Sequence, residues 1–397
     1  MNPARPWPRP KAAIAMTILK AVLPFLILWL TSGLLDAQVR RPGNAGAGTD
    51  RRRVEPKDRP GDERLWRIKG RDAHEARWEQ IVVVTNPTTR TVQMQTNAFA
   101  VLAAGLHYSQ GGQWLESRDE IEIVDGGAVA RHGAHRVAFA ANINQAGAID
   151  LITPEGHRLR SHVLGIAYSD AASGKSILVG GIRDSIGLVN GNQVSYPDAL
   201  DGTFRADVRY TYSISSFEQD IVLVEQPPSP AEYGLDPRTT RLEVWTEFVQ
   251  PPVPNRISRT LKAIPSASKR AAVTAPGFTD ETLSFGSMMI GSGTAFPLEN
   301  GPVSPPDGGP VVVGKEWLNL TGRTFLIEKV DYADIEAELS RLPRSGLARK
   351  SRRAIGVPAQ RQAILAGLAA PPAVEAAEKR GRMEFTAHRA PTSGYVV

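Results

Sequence analysis

The chain has 397 residues, 42% of them hydrophobic, enough for a packed core and two or three domains. It contains no cysteine, which excludes disulfide staples and thiolate-held zinc or iron–sulfur centres and leaves core burial as the source of stability. The net charge of +6 gathers in the two flanks and forms no basic stripe interleaved with aromatics, which argues against nucleic-acid binding.

In chain order the first feature is an apolar run at residues 21–35 (AVLPFLILWLTSGLL). Arg5, Arg9, Lys11 and Lys20 precede it without an acid, and the small Ala37 follows. A positive start, an apolar centre and a small exit residue make a secretory signal peptide over residues 1–37. The run is shorter than the roughly 20 residues of a bilayer-spanning helix, and Pro24 interrupts it. Cleavage after Ala37 is the expectation; an uncleaved anchor, or a cut at Ser32 or Gly33, is the alternative. Everything beyond residue 38 is then expected outside the cytoplasm, at the cell envelope or extracellular, with membrane contact only through the N-terminal segment if it is uncleaved. Residues 38–78 are Gly-, Pro- and charge-rich and read as a disordered linker, with Trp78 marking the approach to the folded region.

From residue 79 the pattern is that of β-structure. Ile81 to Thr85 is a β-branched run stopped by Asn86-Pro87. Short apolar runs then recur between turn residues, among them Gly111-Gly112, Asp125-Gly126-Gly127, Pro154-Glu155-Gly156 and Asn190-Gly191, the last a type I′ hairpin signal. Residues 204–214 alternate strictly: Phe204, Ala206, Val208, Tyr210, Tyr212 and Ile214 against Arg205, Asp207, Arg209, Thr211 and Ser213. That division puts one face on a core and the other in water. Residues 217–224 continue as a strand. Residues 240–248 alternate again, with Leu242, Val244, Thr246 and Phe248 opposite Arg241, Glu243, Trp245 and Glu247. Half-polar, hairpin-linked strands predict a mainly β protein, an antiparallel β-sandwich, one large or two packed, over residues 79–250. Residues 251–277 read as a Pro-rich linker and residues 278–330 as additional strands, which either return to the first sandwich or form a small second one. Residues 331–397 read as short helices and a disordered tail, beginning with a helix at 332–342 whose Ile335, Leu339 and Leu342 share a face.

The motifs that carry chemistry fail on inspection. Gly174-Lys175-Ser176 lacks the upstream glycine of a phosphate loop, that place being Ser169. The glycine-rich stretch 286–293 has no lysine and reads as a bulged strand with a turn. His132/His135 and His157/His162 have spacings that do not share a strand face, and arginines sit next to three of the four. Glu120/Glu122 and Glu243/Glu247 each share a face and suit paired-carboxylate glycosidase chemistry, but alternation already predicts a polar solvent face there. No nucleophile elbow is present, and Ser292 lacks its outer frame. No catalytic, cofactor-binding or metal-ligating residue is therefore assigned. Exposed aromatics on a β-sandwich can stack on sugar rings, and Tyr108, Trp114, Trp245 and Trp317 are candidates, Trp245 the best because it falls on the polar side of its strand.

Residues 105–123 (GLHYSQGGQWLESRDEIEI) carry a short strand ending in an aromatic, a Gly-x-Trp hairpin and an acidic, apolar strand. This resembles the N-terminal β-rich module of large bacterial secreted and cell-surface proteins: wall-associated, Rhs/YD-repeat and LamG-containing ones. Residues 135–142 (HRVAFAAN), 190–207 and 239–248 are similar to later parts of that module, so the resemblance spans roughly residues 92–330. It implies no catalytic residues, since the module has none assigned, and the chain itself has no YD repeats. The expectation is an exported, non-enzymatic β-sandwich module with a structural or binding role, whose partner is a glycan or another surface protein; a separate alternative is that the chain is the N-terminal part of a larger protein. The alternative is a polysaccharide-active enzyme on the same scaffold.

Overall fold

The strict alternation becomes strand Ala206–Tyr212, and burial follows it residue by residue: Ala206, Val208, Tyr210 and Tyr212 are enclosed while Asp207, Arg209 and Thr211 keep partial access to water. The computed structural model describes residues 13–22, 66–261, 278–298, 311–345 and 386–387. Within them the protein is mainly β and antiparallel, as the sequence predicts.

Ala206–Tyr212 pairs with Ser216–Leu223 on one side and Gln193–Tyr196 on the other. In a facing sheet, Thr240–Val249 lies between Arg158–Asp170 and Arg323–Asp331. The two sheets pack their apolar faces together. Phe139 of one sheet meets Tyr210 and Phe217 of the other, with ring centroids 6.0 and 6.1 Å apart. Tyr196 and Tyr212 reach across to donate hydrogen bonds to the Ala140 and His135 carbonyls at 2.6 and 2.9 Å. This is the sandwich arrangement, with side chains from both inner faces filling one core.

Strand Val311–Leu320 belongs to both sheets. Its first residues pair with Gly293–Leu298, and from Gly314 onward it pairs with Arg323–Asp331. A strand that changes sheets closes a corner of the sandwich. The strands after residue 278 therefore return to the first sandwich.

Three boundaries differ from the sequence reading. Strand Arg67–Arg71 and the start of Glu75–Thr85 lie inside the stretch expected to be linker, because Trp66 and Trp78 pack on Phe99 at 4.7 and 6.1 Å and give that stretch something to bury. Asn255–Leu261 is a strand within the expected Pro-rich linker, held by seven register pairs to Phe278–Phe285; residues 262–277 lie outside the described residues. Strand Ala13–Val22 runs antiparallel between Ser216–Leu223 and Gly293–Leu298 and overlaps the start of the apolar run; the rest of that run, residues 38–65 and most of the tail lie outside the described residues. Among the described residues no helix is long and apolar enough to cross a membrane.

Two hairpin turns show how local sequence sets register. Gly111 and Gly112 both have positive φ, 58° and 78°, the two-residue type I′ loop. At Asn190-Gly191 the loop falls one residue later, on Gly191-Asn192, with positive φ at Gly191 only, a type II′ pattern that also suits the strand twist. The short helix Tyr332–Leu339 buries Tyr332, Ile335 and Leu339, and Leu342 beyond it is buried too.

Candidate functional site: an apolar arm and a buried ion cluster

Strands Glu75–Thr85 and Val92–Leu102 form an antiparallel ribbon of eleven residues each, in a three-stranded sheet of its own with Arg67–Arg71. Its base is tied down. Ala103 N–H donates to the His74 carbonyl at 3.0 Å, Gly105 N–H to His74 Nδ1 at 3.1 Å, and His107 Nδ1 lies 2.8 Å from the Asp72 carbonyl. Its far end is bare. Val83 stands directly opposite Met94, and Thr85 opposite Val92. With the two-residue side-chain period, Ile81, Val83, Val92 and Met94 share one face. Met94 is 77% exposed and Val92 65%. Seven of the twelve exposed large apolar side chains among the described residues sit on this ribbon. The tip is ordered by Asn86, whose side-chain oxygen accepts from the Thr88 and Thr89 amides at 2.9 and 3.2 Å. Period-2 alternation is weak here, so the sequence gives the strands without their exposure.

The aromatic candidates do not come together. Trp245 is fully buried, which corrects its placement on a solvent face: its ring packs on Phe325 at 5.8 Å and its Nε1 donates to Glu243 at 3.0 Å. Thr240–Val249 is a central strand covered on both sides, and Leu164, Ala167, Phe325 and Ile327 join Trp245 in a second small core. Trp317 is buried against Phe248 and Phe285. Tyr108 is half-buried, with its hydroxyl 3.0 Å from His132 Nδ1, and Trp114 is exposed. Tyr108 pairs with Leu115 while Trp114 pairs with Ser109, so these two aromatics leave opposite faces of one small hairpin.

The carboxylate pairs are each engaged in ion pairs or hydrogen bonds. Glu122 binds Arg131 and His132, Glu120 binds Arg118, and Glu247 binds Arg323, with His162 Nε2 at 3.2 Å. Burial pushes the Glu247 carboxyl up, but the hydrogen bonds from Arg323 and His162 outweigh it and hold the pKa at about 2. Glu247 is therefore a fixed anion, unsuited to proton donation near neutral pH. Among the described residues no group of three or more metal-ligating side chains converges.

A different set of charges lies sealed in the sandwich. Lys315 and Asp280 are both fully buried, and Lys315 Nζ sits 2.7 Å from Asp280 Oδ1. The Lys315 amide donates to the same oxygen at 3.2 Å. Asp280 Oδ2 accepts from Arg259 Nε and from Ser292 Oγ, each at 2.9 Å. Glu328 faces Lys315 directly across the strand pair, is fully buried, and finds no hydrogen-bond partner for either oxygen among the described residues. Burial pushes the Glu328 pKa well above the usual carboxylate range; Lys315 opposes the rise, and Asp280 and Asp220 add to it. No sequence motif marked this cluster, because alternation rules place charged residues outside.

No family model, curated protein or solved structure matches the chain.

Proposed function

We propose that the chain is an exported, non-enzymatic β-sandwich module with a binding role at the cell surface, docking a partner protein through the apolar face of its 75–102 ribbon. The observation that carries this reading is the row Ile81, Val83, Val92 and Met94 on the bare end of a ribbon whose base alone is anchored. An isolated two-stranded hairpin is marginal in water, and contiguous exposed apolar surface marks interaction sites. The row is aliphatic, which fits the apolar face of a protein partner better than a sugar ring. Export is supported by the charged, apolar N-terminal run.

The reading is tested by fractionating cells that produce the full chain, with protease added to intact cells. The chain is expected in the envelope or medium and open to the protease. Recovery with cytoplasmic markers, protected until lysis, overturns it.

A further inference from the structure

We propose that Lys315 and Asp280 condense into an intramolecular amide, so that the folded chain carries a covalent link between strands Phe278–Phe285 and Val311–Leu320, with Glu328 as the proton carrier.

The reacting groups are already in contact: Nζ is 2.7 Å from Oδ1, and both side chains are shut off from solvent. Such placement replaces a bimolecular encounter by a local one and removes most of its entropic cost. Burial pushes the Asp280 carboxyl up, but the hydrogen bonds from Lys315, Ser292 and Arg259 hold it below its usual range, so the carboxylate rests ionised and the step begins with a proton passed to it across the 2.7 Å contact. The surroundings also suit the step. Arg259 and Ser292 both hold Oδ2, the oxygen on which negative charge grows when the carbon becomes tetrahedral. Glu328 stands at the register position opposite Lys315, on the neighbouring strand. A buried carboxyl without a hydrogen bond is costly, and its raised pKa keeps it a neutral acid able to give and take protons.

The atoms balance without a co-reactant. A proton passes from the Lys315 ammonium to the Asp280 carboxylate, leaving amine and acid. The amine lone pair attacks Cγ. Glu328 accepts a proton from the nitrogen through one oxygen and returns one through the other to the departing Oδ1, which leaves as water. An N–C bond forms, a C–O bond breaks, and Glu328 ends unchanged. The product ties together two strands of a chain that has no disulfide to do so.

The test is mass spectrometry on the purified full chain, intact and after trypsin. The expected result is a mass low by one water and a branched peptide joining the segments that hold Asp280 and Lys315, with no cleavage after Lys315. Asp280→Asn is expected to lose one ammonia instead. Lys315→Arg is expected to keep its full mass, and Glu328→Gln to stay unlinked while melting cooperatively. A folded wild-type chain at its full mass, with the two peptides separate, overturns the proposal. So does a link that forms equally well in Glu328→Gln, or one that joins Lys315 to a different carboxyl.

Discussion

Gln219 bridges the two sheets: its Nε2 donates to Thr246 Oγ1 at 3.1 Å while its Oε1 accepts from the Tyr210 hydroxyl at 3.0 Å. All three side chains are buried. Gln219→Leu keeps the bulk but strands a hydroxyl on each side, and is expected to lower stability by about 2–4 kcal/mol. Adding Tyr210→Phe and Thr246→Val removes the stranded groups and is expected to recover much of that loss. Urea unfolding of the single and triple variants measures both, and additive losses would show that the three do not act as a unit.

His135 is buried against the Tyr212 ring, with centroids 4.8 Å apart. Burial pushes its pKa down to about 4, and the Ser216 backbone offsets only part of this. The folded pKa is thus below the unfolded one, near 6.5, and between the two values the unfolded chain binds more protons. Stability is therefore present above about pH 6.5 and lost as pH falls toward 4, by about 3 kcal/mol in total. His135→Leu is expected to flatten this part of the pH profile of the urea midpoint. An unchanged slope would assign the loss to other groups.

Trp245 and Trp114 separate packing from surface roles. Trp245→Ala empties a site enclosed by Leu164, Phe325 and Ile327 and is expected to cost about 3–5 kcal/mol. Trp114→Ala, on an exposed hairpin, is expected to stay within about 0.5 kcal/mol. Thermal melts of the two variants check the contrast.

Strand Ala13–Val22 places Ile14, Met16 and Ala21 opposite Leu223, Ile221 and Phe217, three core residues, and Lys20 opposite Glu218. A chain cut after Ala37 gives up this strand and opens the edges of Ser216–Leu223 and Gly293–Leu298. Open edges recruit other strands. The chain beginning at residue 38 is expected to melt lower and to self-associate on a sizing column, and a peptide of residues 13–22 is expected to reverse both. Equal melting and a monomeric profile would show that the strand is dispensable.

The sandwich was legible because its strands obey simple alternation where one face meets the core, as in Ala206–Tyr212. The same logic misplaced Trp245. Its strand lies in the middle of a sheet with a second apolar layer outside, so Glu243 and Trp245 face packed protein, where they bond each other. Lys315 and Glu328 were invisible for the same reason, since a charge within a strand reads as solvent-facing unless its partners are known. The N-terminal strand was hidden by the stronger signal-peptide pattern that overlaps it. On the ribbon, Ile81–Thr85 showed a strand, but nothing local said that its apolar side chains have no layer to cover them.

The most direct test of the binding role is sedimentation of the full chain with isolated cell envelopes, comparing wild type with Val83→Lys/Met94→Glu, which sets opposite charges across the strand pair. Both positions are exposed on the same ribbon face, so the variant is expected to melt like wild type. The expected result is wild type in the pellet, the variant in the supernatant, and loss of wild-type binding when the envelopes are stripped of protein. Equal sedimentation of the two proteins, or binding that survives removal of envelope protein, would contradict docking through the apolar arm.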